Sequence, residues 1–330
     1  MTLPVTIRKV DVIWANPRPA APDNILGFLS EKPRGNFWEI GALDLIWNIE
    51  KALRSLPLRS RRALHIYLTR HRAERFVTLC AGTDSPTQVL IAFEVAVRRV
   101  FDIDLQFAHV LRVEKDRSKR QFMVDMSKGT RFEKTPLAED VLELSNDSVE
   151  DTLTGKQIDV SPFDFNFVGV PCLDASRRNP NAAGSASRTC VSNNAMRTGS
   201  VMNGVVDFYK AHGVEHGMKA GILEEVLGFA DPPMENDSLP LWLQNRSNLD
   251  LAVNMFDEIE LWSIATVIEP SMHWGAQSSR RRLYVPHIVQ SCLAAMPEVQ
   301  REEIYLETLG YITGAFEAVS LEDLLLPEDC

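Results

Sequence analysis

An apolar run over residues 163–170 ends in Pro171-Cys172 and passes into a stretch, 174–200, rich in Ser, Asn, Arg, Ala and Gly. A free cysteine inside a core behaves as a small hydrophobe. One that follows a strand and precedes a polar loop is placed to react as a thiolate. Two other strand-like runs end in suggestive residues. Leu79-Cys80-Ala81-Gly82-Thr83-Asp84-Ser85-Pro86 puts a glycine between a strand and a helix start. That geometry lets backbone N–H groups approach a ligand, and it also serves any tight strand-to-helix turn. His109-Val110-Leu111-Arg112-Val113-Glu114 ends the next strand in an acid. Such an acid suits hydrogen bonding to ribose hydroxyls, and it is also common at the solvent end of a strand.

Further along, Gly221-Ile222-Leu223-Glu224-Glu225-Val226 ends a short run in paired carboxylates, and Arg280, Arg281 and Arg282 precede another apolar run. His212-Gly213-Val214-Glu215-His216 matches the HxxEH zinc pattern. Gly213 within it and Gly217 just after it each weaken a helix by about 1 kcal/mol, so a loop is expected there and no metal site is assigned.

These residues need elements to hold them. Helical spacing of apolar residues runs over 41–56, and 85–101 reads as a buried helix with Pro86 in its first turn. Strands are expected over 76–81, 105–113, 163–170, 221–226, 261–268 and 283–289, and a helix over 201–209. Strands alternating with helices predict an α/β chain with a mostly parallel sheet and helices on both faces. The expected organisation is a proline-rich lead-in and helical segment over 1–75, a catalytic domain over 76–290 and a helical tail over 291–330.

The chain has 330 residues, 45% hydrophobic and 24% charged, as in ordinary globular proteins. No apolar run approaches the roughly 18 residues of a membrane span, and residues 1–13 lack a signal-peptide pattern. The five cysteines are widely and irregularly spaced with no CxxC pair, which argues against a zinc knuckle or a disulfide framework and for reduced thiols inside a cell. The net charge of −10 is unevenly spread. Arg54, Arg59, Arg61, Arg62, Arg70, Arg72 and Arg75 form a basic stretch, which is either a polyanion-binding face or a set of solvated arginines.

Taken in order over roughly 76–285, these features resemble the cytosine-5 methyltransferase family. Pro171-Cys172, continued by Asp174-Ala175-Ser176, is similar to the family's catalytic motif. The Glu224 segment is similar to its Glu-Asn-Val motif, and the run from Gln277 to Arg280 and Arg282 to its Gln-x-Arg-x-Arg motif. The resemblance implies a Rossmann-like fold that binds S-adenosylmethionine (SAM). It places the cofactor against Cys80, Ala81, Gly82, Thr83, Asp84, Ser85 and Pro171, with Glu114 on the ribose and Asp140 beside the adenine. It implies that Cys172 attacks carbon 6 of cytosine, that Glu224 hydrogen-bonds nitrogen 3, and that Arg280 and Arg282 hold the base's carbonyl oxygen. The implied partner is DNA, whose target base must be flipped out of the stack. The implied location is intracellular, and nuclear in a eukaryote.

The sequence also departs from that pattern. Cys80 replaces an aromatic residue, Asp84 a glycine and Glu225 the motif's Asn, and one extra residue separates Gln277 from the arginines. Residues 283–330 are few for the family's target-recognition region, so a protein partner is expected to supply one. Gly35-Asn36 before a helix is either a permuted copy of a family motif or a glycine-opened amphipathic helix. Two other functions share these features: an inert methyltransferase-like regulator, and a tRNA cytosine-5 methyltransferase.

Overall fold

A computed structural model describes residues 12–14, 37–82, 84–171, 174–175, 190–192, 196–231, 245–268 and 282–315. Cys172, Thr83, Arg280, Gln277 and the Gly35-Asn36 pair lie outside the described residues.

Hydrophobic alternation builds the central strands. In β2 (Ala73–Leu79), Phe76 faces one layer of helices while Val77 and Leu79 face the other. Its parallel neighbours are β3 (Gln106–Val113) on one side and β7 (Phe165–Gly169) on the other. β4 (Leu137–Ala138) continues outward from β3, and β8 (Ala220–Glu225) outward from β7. Read across, the parallel strands run β4-β3-β2-β7-β8, with the order reversing between β2 and β7. This is the Rossmann-like arrangement, in which ligands bind beyond the carboxyl ends of the strands at the reversal.

The next strand breaks the parallel rule. β11 (Arg282–Val289) runs antiparallel to β8, so its first residue, Arg282, lies at the same edge as the last residues of β8. The expected single strand over 261–268 is two: β9 (Leu261–Ser263) and β10 (Ala265–Ile268) pair with opposite halves of β11. The break falls at Pro286, which has no N–H to extend the ladder and only accepts from Ile264 N at 3.2 Å. β1 (Val12–Trp14), in the expected irregular lead-in, pairs parallel with β10 as an edge strand. A separate hairpin joins β5 (Ser148–Asp151) to β6 (Lys156–Asp159).

Helices cover both faces. α1 (Phe37–Ser55), α2 (Leu58–Arg70) and α3 (Ser85–Phe101) enclose Phe76 and Phe107 with Ile49, Leu53, Leu68, Ala96 and Val97. On the other face, α5 (Arg197–His212) and α6 (Asn248–Asp257) bury Met202, Phe208, Leu251 and Phe256 against Val77, Val168 and Leu223. A capping box between Ser247 and Asp250 opens α6. α4 (Arg117–Ser127) follows β3, capped by the Asp116 side chain on Lys119 N at 3.0 Å. α7 (Glu298–Ala315) places the Tyr305 hydroxyl 3.2 Å from Thr266 Oγ1 on β10. No described helix is long and apolar enough to cross a membrane.

Candidate active site

The carboxyl edge of the sheet gathers most of the described residues singled out above. After β2 the chain turns through three left-handed residues, Cys80, Gly82 and Asp84, with φ of 54°, 59° and 59°. Only glycine adopts that conformation freely, so the turn carries strain at Cys80 and Asp84. Backbone bonds hold it: Ala81 N donates to Val113 O at 3.0 Å, and Asp84 N to Ala81 O at 2.8 Å.

Glu114 is the other clamp. One carboxylate oxygen accepts from Gly82 N at 2.8 Å and the other from Asp116 N at 2.9 Å. The acid that ends β3 therefore ties the glycine turn to the start of α4. Glu114 is itself buried, so the clamp sits beneath the turn's surface. Asp140, just beyond β4, pairs with Lys115 and caps Leu142 N at 3.2 Å. In front of the turn, a Cβ added at Gly82 would meet nothing within 4 Å.

Asp84 behaves differently from its neighbours. Its side chain turns inward, accepting from the Thr87 hydroxyl at 2.9 Å. Thr87 also lies 3.2 Å from His109 Nδ1, and Thr78 lies 3.0 Å from His109 Nε2. Burial pushes the Asp84 carboxyl up to about 6 and the His109 ring well below its ordinary value. Asp84 thus belongs to a buried polar cluster beneath the turn. Ser85, the first residue of α3, is exposed. The Cys80 thiol has its pKa pushed up to about 12 by burial first and then by the Glu114, Asp140 and Glu225 carboxylates, which disfavours its thiolate.

The reversal point brings β7 close to this turn: a Cβ at Gly169 would lie 3.4 Å from the Cys80 carbonyl oxygen. Beyond β7, the first turn of α5 grips the chain on both sides of residue 172. The Thr198 hydroxyl donates to Pro171 O at 2.7 Å, and Thr198 N donates to Asp174 Oδ2 at 2.9 Å. Thr198 is itself fully buried. The sequence offered no signal for it, because a threonine near a helix start has many ordinary uses. Cys190 lies buried nearby, its thiol raised to about 12 chiefly by burial and next by Asp174.

At the end of β8, strand alternation separates the two adjacent acids. Glu224 is 48% exposed and accepts from Arg282 Nε at 2.9 Å, while the Arg282 side chain is 13% exposed. Glu225 points to the opposite, buried face. Its Oε2 accepts from Val226 N at 3.2 Å and its Oε1 has no partner among the described residues. Burial raises its carboxyl well above the ordinary value, with Glu224 adding a smaller push the same way. Tyr284 sits opposite Glu224 in the ladder and is raised to about 12 by burial and then by that acid. On the other side, Glu224 pairs with Gly169, three residues before Cys172.

The HxxEH segment takes another course. α5 ends at His212, and Val214–His216 form a 3-10 turn, so the two histidines do not share a helix face. His212 Nε2 lies 3.0 Å from Asn146 O.

No protein-family model matches the sequence, and no curated protein matches it. Among solved structures, the chain is similar to a Spodoptera frugiperda DNMT2 mutant at 13% identity and a TM-score of 0.37, over 65% of this chain and 50% of that one. It is similar to the S. pombe Dnmt2 methyltransferase at 10% identity and 0.37, over 66% and 50%. It is also similar to the Entamoeba histolytica methyltransferase EhMeth at 11% identity and 0.38, over 66% and 53%. The chain therefore spans about half the length of these structures. The strand order itself defines the class: a Rossmann-like α/β domain with its candidate site at the carboxyl edge.

Proposed function

We propose that this chain transfers a methyl group from SAM to carbon 5 of cytosine in DNA, through a covalent adduct with Cys172. One observation carries the reading. The Glu224–Arg282 pair stands across the ladder from Gly169, on the strand that runs into Pro171-Cys172. The acid and the guanidinium thus share the sheet edge at which β7 ends, three residues before the expected nucleophile.

The residues around the glycine turn fit SAM. A Cβ at Gly82 would meet no described atom within 4 Å, Glu114 binds Gly82 N beside it, and Asp140 lies just beyond β4. Bound there, SAM would supply an electrophilic methyl group. The chain's own residues do the rest. The Cys172 thiolate adds to carbon 6 of the base, which turns carbon 5 into a nucleophile. Glu224 hydrogen-bonds nitrogen 3, and Arg282 holds the carbonyl oxygen on which negative charge develops. Carbon 5 takes the methyl group, a base removes its proton, and the thiolate leaves carbon 6. Thr198 holds the backbone on both sides of the nucleophile.

The test is transfer of labelled methyl from SAM to mixed-sequence DNA and to bulk tRNA, with Cys172→Ser alongside. The reading expects label in DNA that the variant abolishes. Label in tRNA alone would replace the substrate. No label in either nucleic acid, with SAM bound, would replace the reading with an inert, methyltransferase-like regulator.

A further inference from the structure

We propose that the outer face of α2 is a docking surface for the sugar-phosphate backbone of a nucleic acid, remote from the carboxyl-edge site. The inference rests on the reading that this site acts on a nucleic-acid base. α2 has 13 residues, Leu-Arg-Ser-Arg-Arg-Ala-Leu-His-Ile-Tyr-Leu-Thr-Arg, and none is acidic. It turns Leu64, Tyr67 and Leu68 toward the core. Arg59, Arg62, Ile66 and Arg70 stand exposed on the opposite side. Steps of three, four and four residues keep them on one stripe, about 16 Å long at 1.5 Å per residue. Arg72 is also exposed just beyond the helix, its Nε on Thr69 O at 3.4 Å.

The described acids near this helix pair away from its outer face. Glu74 pairs with Lys219 at 2.7 Å and accepts from the inward-facing Tyr67 hydroxyl at 2.9 Å, Asp164 pairs with Arg75 and Lys219 at 3.3 Å, and Glu50 with Arg99 at 2.8 Å. Arg59, Arg62 and Arg70 have no ion-pair partner among the described residues. A chain of net charge −10 therefore carries a cationic stripe with which none of its described carboxylates pairs. A solvated face ordinarily mixes both signs, whereas a segregated one attracts a polyanion. Guanidinium groups match phosphate with paired hydrogen bonds, and they repeat here along a line, as backbone phosphates do.

The location adds a length requirement. Arg70 lies next to the start of β2, at the amino edge of the sheet, while Glu114 and Glu224 lie at the carboxyl edge. The seven residues of β2 separate those edges by about 23 Å at 3.3 Å per residue. A short oligonucleotide can occupy the site without reaching α2, and a long one can reach both.

The test measures binding of the full chain to a 40-base-pair mixed-sequence duplex by fluorescence anisotropy, over roughly 50 to 200 mM salt. The arms are wild type, Arg59→Gln/Arg62→Gln/Arg70→Gln, and Lys128→Gln/Lys156→Gln/Lys210→Gln, which removes the same charge from other elements. Each lost phosphate contact flattens the slope of log K against log salt by about 0.9, so the arginine variant should lose roughly 2 to 3 and bind about tenfold or more weakly at the low end. The lysine variant should keep the wild-type slope. Equal slopes in all three, equal losses in both variants, or wild-type binding to phosphatidylserine vesicles but not to the duplex would each overturn the surface. Methyl transfer into a short oligonucleotide, run on the same proteins, separates the two claims. Transfer with an unchanged arginine-variant slope overturns the surface alone. No transfer by wild type overturns the site reading, and the slopes still decide the surface.

Discussion

Thr198 holds both flanks of residue 172, its hydroxyl on the Pro171 carbonyl at 2.7 Å and its backbone N–H on the Asp174 carboxylate at 2.9 Å. Pro171 and Asp174, which flank the expected nucleophile in sequence, are thus both bonded to the first turn of α5. Thr198→Val keeps the shape and the backbone donor but leaves the Pro171 carbonyl without its partner. Such a loss costs about 1–3 kcal/mol. The expected outcome is that drop in urea-unfolding stability, with methyl transfer falling at least tenfold while SAM affinity changes little. Unchanged transfer would show that the grip does not position the thiol.

Both Glu114 carboxylate oxygens take backbone N–H groups, so the residue clamps the turn at which the cofactor is proposed to bind. Glu114→Gln keeps one acceptor oxygen and removes the other. SAM affinity, read by calorimetry, should fall together with thermal stability. A large affinity loss with unchanged stability would confine Glu114 to the ligand. Loss of stability with unchanged affinity would make it a structural clamp only.

The Glu224–Arg282 contact should be separable from folding, since Glu224 is half exposed. Exposed ion pairs contribute about 0–1 kcal/mol. Glu224→Gln should leave unfolding within that range and reduce kcat by at least tenfold. Unaltered kcat would remove Glu224 from the reaction.

Glu225 gives the fold a pH dependence of definite sign. Its folded-state pKa lies well above the ordinary 4.5 because burial penalises the charge. Its stabilising contribution is therefore fully present below pH 4.5 and declines as pH rises toward the folded value. Asp84, raised from 3.8 to about 6, acts in the same direction over its own window. Glu225→Gln removes one of the two titrations, so urea-unfolding stability should decline less steeply above pH 4.5 than in the wild type. Parallel pH profiles would show that Glu225 ionises in the folded protein.

The sequence made some of this legible and hid the rest for physical reasons. Pro86 in a first turn and Gly82 after an apolar run mark β2 and α3, and the turn between them, because both residue types constrain the backbone directly. The end of β3 was equally visible, but the binding of Gly82 N by Glu114 is a contact across the sheet that local pattern does not encode. Alternation alone separates Glu224 from Glu225, and it follows once β8 is known to be a strand. The break between β9 and β10 depends on Pro286, which lies on a different strand. Thr198 matters through two partners more than twenty residues away, and Asp84 turns inward because Thr87 and His109 offer it polar company. The edge strand β1 is too short to show a period.

The central claim is that Cys172 attacks carbon 6 of cytosine. The direct measurement is incubation with SAM and a duplex carrying 5-fluorocytosine, followed by denaturing electrophoresis, with Cys172→Ser alongside. Fluorine at carbon 5 blocks the proton loss that releases the thiol. The account predicts a SAM-dependent, denaturation-resistant protein–DNA species in the wild type and none in the variant. An adduct that persists in Cys172→Ser, or methyl transfer by the wild type with no adduct, would contradict it.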